Sequence, residues 1–209
     1  MVNLRKYKDK RIAIYGMGLT GRSTARALKK LGAQALCWDD NIKVRKELKS
    51  FNFPLNKFWL DKKLIDYIVI SPGIDIQKCK IKKFLKKNLN KIITDLDLFF
   101  DLNKDALIIS ITGTNGKSTT CKIIEKILKF AKYNVKTVGN IGNPILSTSK
   151  TKKKYVLILE ISSYQLQYSK LFRSKHAAIL NISPDHLERH GNMKSYIKIK
   201  SRIFFGQNI

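Results

Sequence analysis

Acid is scarce in this chain. Against 42 lysines and arginines stand 15 aspartates and glutamates, a formal net charge of +27 over 209 residues. Cysteine is nearly absent as well, and Cys37, Cys79 and Cys121 form neither a C-x-x-C pair nor a metal-ligand spacing. That excludes a disulfide framework and a zinc ribbon, and it suits a reducing compartment. No apolar run approaches the length of a membrane span. The first apolar segment, Ile12 to Tyr15, stops at Gly16 and Gly18 and runs into Thr20 and Arg22, unlike the core of a signal peptide. A cytoplasmic protein with no membrane partner is therefore expected. The excess of base would suit nucleic acid, but the lysines are scattered through 43–49, 78–91 and 150–154, with no arginine-rich stripe and no aromatic RNA-binding signature. They read as solvated helix faces whose field favours anionic substrates, with no nucleic-acid partner.

What the chain does have is glycine at the ends of apolar strands. A strand at Arg11 to Tyr15 leads into Gly16-Met17-Gly18-Leu19-Thr20-Gly21 and a helical stretch from Arg22 to Leu31. Further strands at Ala33 to Trp38 and Tyr67 to Ile70 end in Asp39-Asp40 and in Ser71-Pro72-Gly73. A parallel sheet binds its ligands at that carboxyl edge. Gly16, Gly18 and Gly21 satisfy the dinucleotide fingerprint G-x-G-x-x-G, with Asp39 where a ribose-binding acid belongs. Taken alone, this suggests a nicotinamide-dependent oxidoreductase. The same turn serves any ligand whose phosphates or uracil ring must approach the backbone closely.

A polar piece near Asp101 to Asp105 divides the chain into halves of 1–103 and 104–209. The second half opens on an apolar strand, Ala106 to Ile111, followed by Thr112-Gly113-Thr114-Asn115-Gly116-Lys117-Ser118-Thr119 and a helical pattern carrying Ile123, Ile124, Ile127 and Leu128. A strand, a glycine loop and a helix make a phosphate cradle, with Lys117 on the outer phosphates and the Ser118 hydroxyl on Mg²⁺. The general P-loop spacing wants glycine at position 111, so Ile111 makes this loop a variant. Strands at Asn134 to Val138, Tyr155 to Leu159 and Ala177 to Leu180 follow. The expected fold class is α/β, a Rossmann-like domain followed by an incomplete P-loop-type domain with a mostly parallel sheet. Glu160, at a strand end opposite the loop, is suited to Mg²⁺, and His186 in Asn181 to His190 is a candidate second metal ligand.

Six ordered blocks give the chain a specific resemblance: Gly16 to Gly21, Ser71 to Ile74, Thr112 to Thr119, Gly139-Asn140-Ile141-Gly142, Leu159 to Leu166, and Asn181 to Arg189. It resembles the ATP-dependent Mur ligases of peptidoglycan synthesis, and within them the branch that joins D-glutamate to UDP-N-acetylmuramoyl-L-alanine. The resemblance implies a ligase whose substrate carboxylate attacks the γ-phosphate of ATP to form an acyl phosphate, which an amine then opens. It implies that ATP is held by Gly113, Thr114, Asn115, Gly116, Lys117, Ser118 and Thr119, with Lys117 stabilising the transferring phosphoryl group. Mg²⁺ would be served by Ser118 and Glu160, and a second ion by His186. The UDP end would lie on Leu19, Thr20, Gly21, Asp39, Asp40, Ser71, Pro72 and Gly73, and the rest of the substrate path on Asn140, Ser162 and Gln165. The pattern Tyr196-x-x-x-Lys200-x-Arg202-Ile203 assigns Lys200 the family's carbamylated lysine, a metal ligand and catalytic group beside Lys117 and His186. A monomer is expected. The family continues beyond the position matched by Ile209, so the chain is expected to be a piece lacking the third domain and active alone only weakly. A non-enzymatic basic nucleic-acid binder is the remaining alternative.

Overall fold

The structure is a computed structural model describing residues 4–61, 63–139, 144–147 and 155–207. It contains two four-stranded sheets, every strand pairing parallel. The first is built from β1 (Arg11–Tyr15), α1 (Leu19–Lys30), β2 (Gln34–Trp38), α2 (Ile42–Ser50), β3 (Tyr67–Ile70), α3 (Lys82–Lys87) and β4 (Ile92–Ile93), in the order β2-β1-β3-β4. Helix α4 (Asp95–Leu102) leads to the second. There β5 (Leu107–Thr112), α5 (Lys117–Phe130), β6 (Val135–Gly139), β7 (Val156–Glu160), α6 (Ser163–Tyr168) and β8 (His176–Ile179) give the order β6-β7-β5-β8. Helices α7 (Leu187–His190) and α8 (Met193–Ser201) close the described chain.

Parallel strands covered on both faces need apolar side chains on both, and β7 (Val-Leu-Ile-Leu-Glu) is buried at every position. Register puts Ile14 beside Cys37 and Val69 in the first sheet, and Ile111 beside Glu160 and Ala178 in the second. Both glycine turns therefore leave the carboxyl ends of central strands, β1 and β5. Position 111 is a buried core residue inside β5, so this loop uses isoleucine where the general pattern has glycine.

Two helices start earlier than the apolar pattern suggests. α1 begins at Leu19 rather than Arg22, and α5 at Lys117 rather than Thr119. In each case the first turn grows directly out of the glycine turn, with exposed Leu19 in α1 and polar Lys117 and Ser118 in α5, and adds no buried apolar side chain for periodicity to register. The two-residue β4 is too short to leave a periodic signal.

Helix α4 joins the two sheets. Thr94 caps it through a reciprocal bond with Asp97, and Leu96, Leu98 and Phe99 belong to one buried cluster that runs from Ile12, Ile14 and Val69 to Leu157, Leu159 and Phe172. Asp97 is fully buried. Its Oδ1 accepts from Ser169 Oγ (2.7 Å) and from the amides of Lys170 (2.9 Å), Leu171 (2.8 Å) and Phe172 (3.1 Å). Oδ2 accepts from the Thr94 amide at 2.9 Å. A buried carboxylate needs this density of donors, and the bonds tie the first half of the chain to the loop after α6.

Candidate nucleotide and substrate sites

In the first sheet the turn after β1 is built by close backbone approach. A Cβ on Gly21 would lie 2.0 Å from the Gly16 carbonyl oxygen, so only glycine lets α1 start this near the strand end. Ser71 Oγ donates to the same carbonyl at 2.6 Å, fastening the Ser71-Pro72-Gly73 turn to the glycine turn. Leu19 is largely exposed beside them. Asp39 accepts the Met17 amide (2.7 Å) and the Asn41 amide (2.8 Å), while Asp40 accepts the Tyr15 hydroxyl at 2.5 Å. Both aspartates thus brace the turn, leaving their remaining lone pairs for a ligand.

In the second sheet the loop between β5 and α5 ends at Gly116, whose φ of +80° is a left-handed conformation that a side chain would strain. Asn181 clamps the loop: its Oδ1 accepts from the amides of Thr114 (3.1 Å) and Asn115 (2.9 Å), and its Nδ2 donates to the Asn115 carbonyl (3.2 Å). Thr120 donates to the Gly116 carbonyl as the first intrahelical bond. The amides of Gly116, Lys117, Ser118 and Thr119 precede it at the positive end of the helix, where an anion would be stabilised.

Two lysines converge on this loop. Lys117 Nζ donates to the carbonyls of Gly113 (3.0 Å) and Thr114 (2.8 Å), and Lys200 Nζ donates to Gly113 at 2.9 Å. Lys200 is only 2 % exposed and lies over the Tyr196 ring at 4.7 Å. Burial, and secondly the Lys117 charge, bring its pKa down to about 8. Beside them Ser118 Oγ donates to Glu160 Oε2 at 2.7 Å, with Glu160 buried at the end of β7. A hydroxyl and a carboxylate at the mouth of a phosphate loop are the oxygen donors a hard divalent cation prefers, and the residues present fit Mg²⁺ beside a bound nucleotide.

His186 stands apart from the usual ligand geometry. Its φ is +53°, its Nε2 lies 3.3 Å from Asp185 Oδ2, its Nδ1 is 3.9 Å from Glu188 Oε1, and its ring packs on Tyr164. Among the described residues no group of three His, Cys, Asp or Glu gathers as a metal cluster. A second ion here would rely on oxygen from bound ligands or a modified lysine. Asn140 lies outside the described residues.

Between the two sheets is a cleft of ≈ 200 Å³ lined by Leu19, Thr20 and Pro72 from one side and by Ser162, Gln165 and Tyr164 from the other. Ser162 and Gln165 form a capping box on α6, the Gln165 Oε1 accepting from the Ser162 amide at 3.1 Å. The cleft brings together residues that lie more than 140 positions apart. An adjoining space of ≈ 320 Å³ is lined by Pro72, Gly73, Tyr164 and Arg189, and Arg189 Nη2 crosses to donate to the Ile74 carbonyl at 2.5 Å. Sequence reasoning assigned no site role to Asp95, which also lines the cleft, nor a specific one to the Asn181 clamp. For Asn181 the signal was its place directly after a strand, and for Asp95 there was none.

Comparison with known proteins gives this geometry a lineage. Residues 10–93 match the family model described as Mur ligase MurD-like, N-terminal domain, and residues 111–209 the model described as Mur ligase middle domain. A UDP-N-acetylmuramoylalanine--D-glutamate ligase of Clostridioides difficile is 41 % identical over 97 % of this chain and 47 % of its own length. The similarly named protein of Wolbachia pipientis is 36 % identical over 100 % of this chain and 41 % of its own length. The chain spans about half the length of the curated relatives it matches. In fold it is similar to the UDP-N-acetylmuramate:L-alanyl-gamma-D-glutamyl-meso-diaminopimelate ligase from Neisseria meningitides, with a TM-score of 0.57, 17 % identity, and coverage of 95 % of this chain and 69 % of that one. With two models of one family matched in order on either side of α4, and relatives of this identity along nearly its whole length, the chain belongs to the Mur ligase family.

Proposed function

We propose that this chain carries the UDP-substrate and ATP sites of a ligase that joins D-glutamate to UDP-N-acetylmuramoyl-L-alanine, a step in peptidoglycan synthesis carried out in the cytoplasm. The observation that carries this reading is the cleft in which Leu19, Thr20 and Pro72 meet Ser162 and Gln165, with Glu160, two residues before Ser162, bonded to Ser118 of the glycine loop. The first half, 1–103, holds the UDP end on its glycine turn, with Asp39, Asp40 and the Ser71 to Gly73 turn around it. The second half, 104–209, holds ATP on residues 113–119.

In this reading the substrate carboxylate lies in the cleft facing the γ-phosphate. Its oxygen attacks phosphorus, ADP leaves, and the acyl phosphate so formed is attacked at carbon by the D-glutamate amine, which loses a proton as phosphate departs. Lys117 and the amides at the start of α5 hold the phosphates and stabilise charge on the transferring group. Ser118 and Glu160 would hold Mg²⁺, which when bound would neutralise phosphate charge. His186 and a carbamylated Lys200 would serve a second ion, which would also need oxygens from the bound ligands. The lowered pKa of Lys200 supports this role, because only the neutral amine adds CO₂, releasing one proton and leaving an anionic carbamate. Electrospray mass measurement at high bicarbonate should show the increment of one CO₂, absent from Lys200→Met.

The decisive experiment is calorimetric titration with UDP-N-acetylmuramoyl-L-alanine, the same sugar nucleotide without alanine, and NADH. Tight binding of the first, weaker binding of the second and none of the third is expected. NADH binding without sugar-nucleotide binding would make the glycine turn a dinucleotide site and overturn the reading.

A further inference from the structure

Asp95 is the first residue of α4 and is 1 % exposed. It lines the cleft between Thr20 and Pro72 on one side and Ser162 and Gln165 on the other. Its Oδ1 has no hydrogen-bond partner. A buried carboxylate oxygen left unpaired costs folding free energy, and such a cost persists where a ligand supplies the missing donor. The cleft around it is otherwise already paired with itself. Gln165 Oε1 is spent on the Ser162 amide and hydroxyl, at 3.1 and 3.2 Å, and Ser71 Oγ on Gly16. Through Oδ1 alone, Asp95 therefore offers the cleft an acceptor without a partner, while Gln165 and the amides of Leu96 and Asp95 act on the carboxylate as a whole.

The charge around it limits which ligand group can meet it. The charged group acting on Asp95 is Asp97 on its own helix, and the titratable side chain facing the cleft from α6 is Tyr164. The cleft residues of α1 (Leu19 and Thr20) and of the segment before β7 (Pro144 and Ile145) carry no charge. Among the described residues lining the cleft none is a cation that could neutralise the carboxylate, so a phosphate or carboxylate of the ligand would be repelled. A neutral donor would not. We propose that Asp95 is a substrate-binding residue, accepting through Oδ1 a hydrogen bond from a neutral N–H or O–H of the acetamido-sugar and peptide portion of the ligand, and thereby holding that portion between the two sheets. This rests on the sugar-nucleotide reading above and adds to it a residue and a polarity of recognition. Burial first, and Asp97 to a lesser degree, push the carboxyl up to about 6, while Gln165 and the backbone amides of Leu96 and Asp95 offset part of that rise. A ligand donor favours the ionised form, so affinity should rise with pH through about 6 and level off above it.

The test is titration of the chain with UDP-N-acetylmuramoyl-L-alanine and with UDP alone between about pH 5 and pH 8. For the parent chain, affinity for the full sugar nucleotide should strengthen about tenfold across that range, while the UDP profile follows only its own terminal phosphate, which titrates at about 6, and is the same in parent and variant. In Asp95→Asn the sugar nucleotide should bind about tenfold more weakly at the upper end, with the pH dependence gone and UDP affinity kept. A parent profile that is flat, or a variant that keeps both affinity and pH dependence, overturns the role of Asp95. Binding of UDP by the parent with no gain from the sugar and alanine leaves Asp95 without its donor and overturns the proposal. Failure to bind UDP or the sugar nucleotide at all overturns the functional reading on which it stands.

Discussion

At the scale of single residues, the molecule carries costs where a ligand is expected. The Asp95 carboxyl titrates near 6 in the folded chain, whereas an unfolded aspartate titrates near 3.9. Between those values the folded form keeps a proton that the unfolded form has released, so stability is fully present below about pH 4 and is lost as pH rises through about 6. Asp95→Asn removes that loss. Urea denaturation at pH 7.5 should find the variant more stable than the parent by ~1–3 kcal/mol, with no difference near pH 4. A variant less stable than the parent at pH 7.5 would mean that the ionised carboxylate is better solvated than its burial implies. Lys117 is a different case, since its ammonium is satisfied by two loop carbonyls without any ligand. Lys117→Ala should abolish most Mg·ATP binding while leaving UDP binding nearly intact, because the sites proposed for the two ligands lie on different sheets. Equal ATP affinity in the variant would remove the loop from the phosphate site.

At the scale of elements, the phosphate loop is a strand end, a left-handed glycine and a helix N-terminus held in register by a neighbouring loop. Gly116→Ala forces a side chain into φ of +80° and should cost ~1 kcal/mol of stability, with a larger effect on ATP affinity because the amides at the start of α5 would turn. The Asn181 clamp makes a separate prediction. Asn181→Ala frees the Asn115 amide to water and leaves the Thr114 amide with only the backbone carbonyl of residue 181, and ATP affinity measured by calorimetry should fall about tenfold with little change in UDP affinity. The glycine spacing made the strand, loop and helix legible in advance. It did not reveal that Asn181 takes the Thr114 and Asn115 amides, because that bond joins the ends of two strands, β5 and β8, that are distant in sequence and adjacent in the sheet.

At the scale of the whole chain, two parallel sheets share one buried cluster through α4, and Asp97 is the polar pin between them. Asp97→Ala would strand the donors of Ser169 to Phe172 in the interior. A loss of ~3–5 kcal/mol is expected, and intrinsic fluorescence and far-UV dichroism should no longer report a single unfolding transition. Coincident, unshifted transitions would show that apolar packing alone joins the halves. The charge acts on the same scale. With +27 spread over the chain, self-repulsion weakens the compact state, and raising ionic strength from about 0.01 M to about 0.1 M shortens the screening length from roughly 30 Å to roughly 10 Å. The melting temperature should rise with that change. Along α5, Ile123, Ile127 and Phe130 are exposed, and among the described strands β8 pairs on one side only, against β5.

Much was determined by the sequence alone, for a physical reason. Strands buried on both faces must be written as apolar runs, and turns that approach a phosphate or a helix closely must be written in glycine, so β1, β3, β5, β7 and both ligand turns were readable as local text. The bounds of β1 and β3 coincide with the apolar runs that announce them. Tertiary structure alone decided what depends on pairs of distant residues: that two lysines share the Gly113 carbonyl, that Asn181 holds the Thr114 and Asn115 amides, and that Asp39 braces the Met17 amide. It also decided that Asp95, one acid among several in an unremarkable helical stretch, stands buried and half-satisfied at the seam of the two sheets. Nothing local distinguishes a solvated aspartate from a buried one. Only packing against a second sheet removes the water, and with it the partner that the sequence takes for granted.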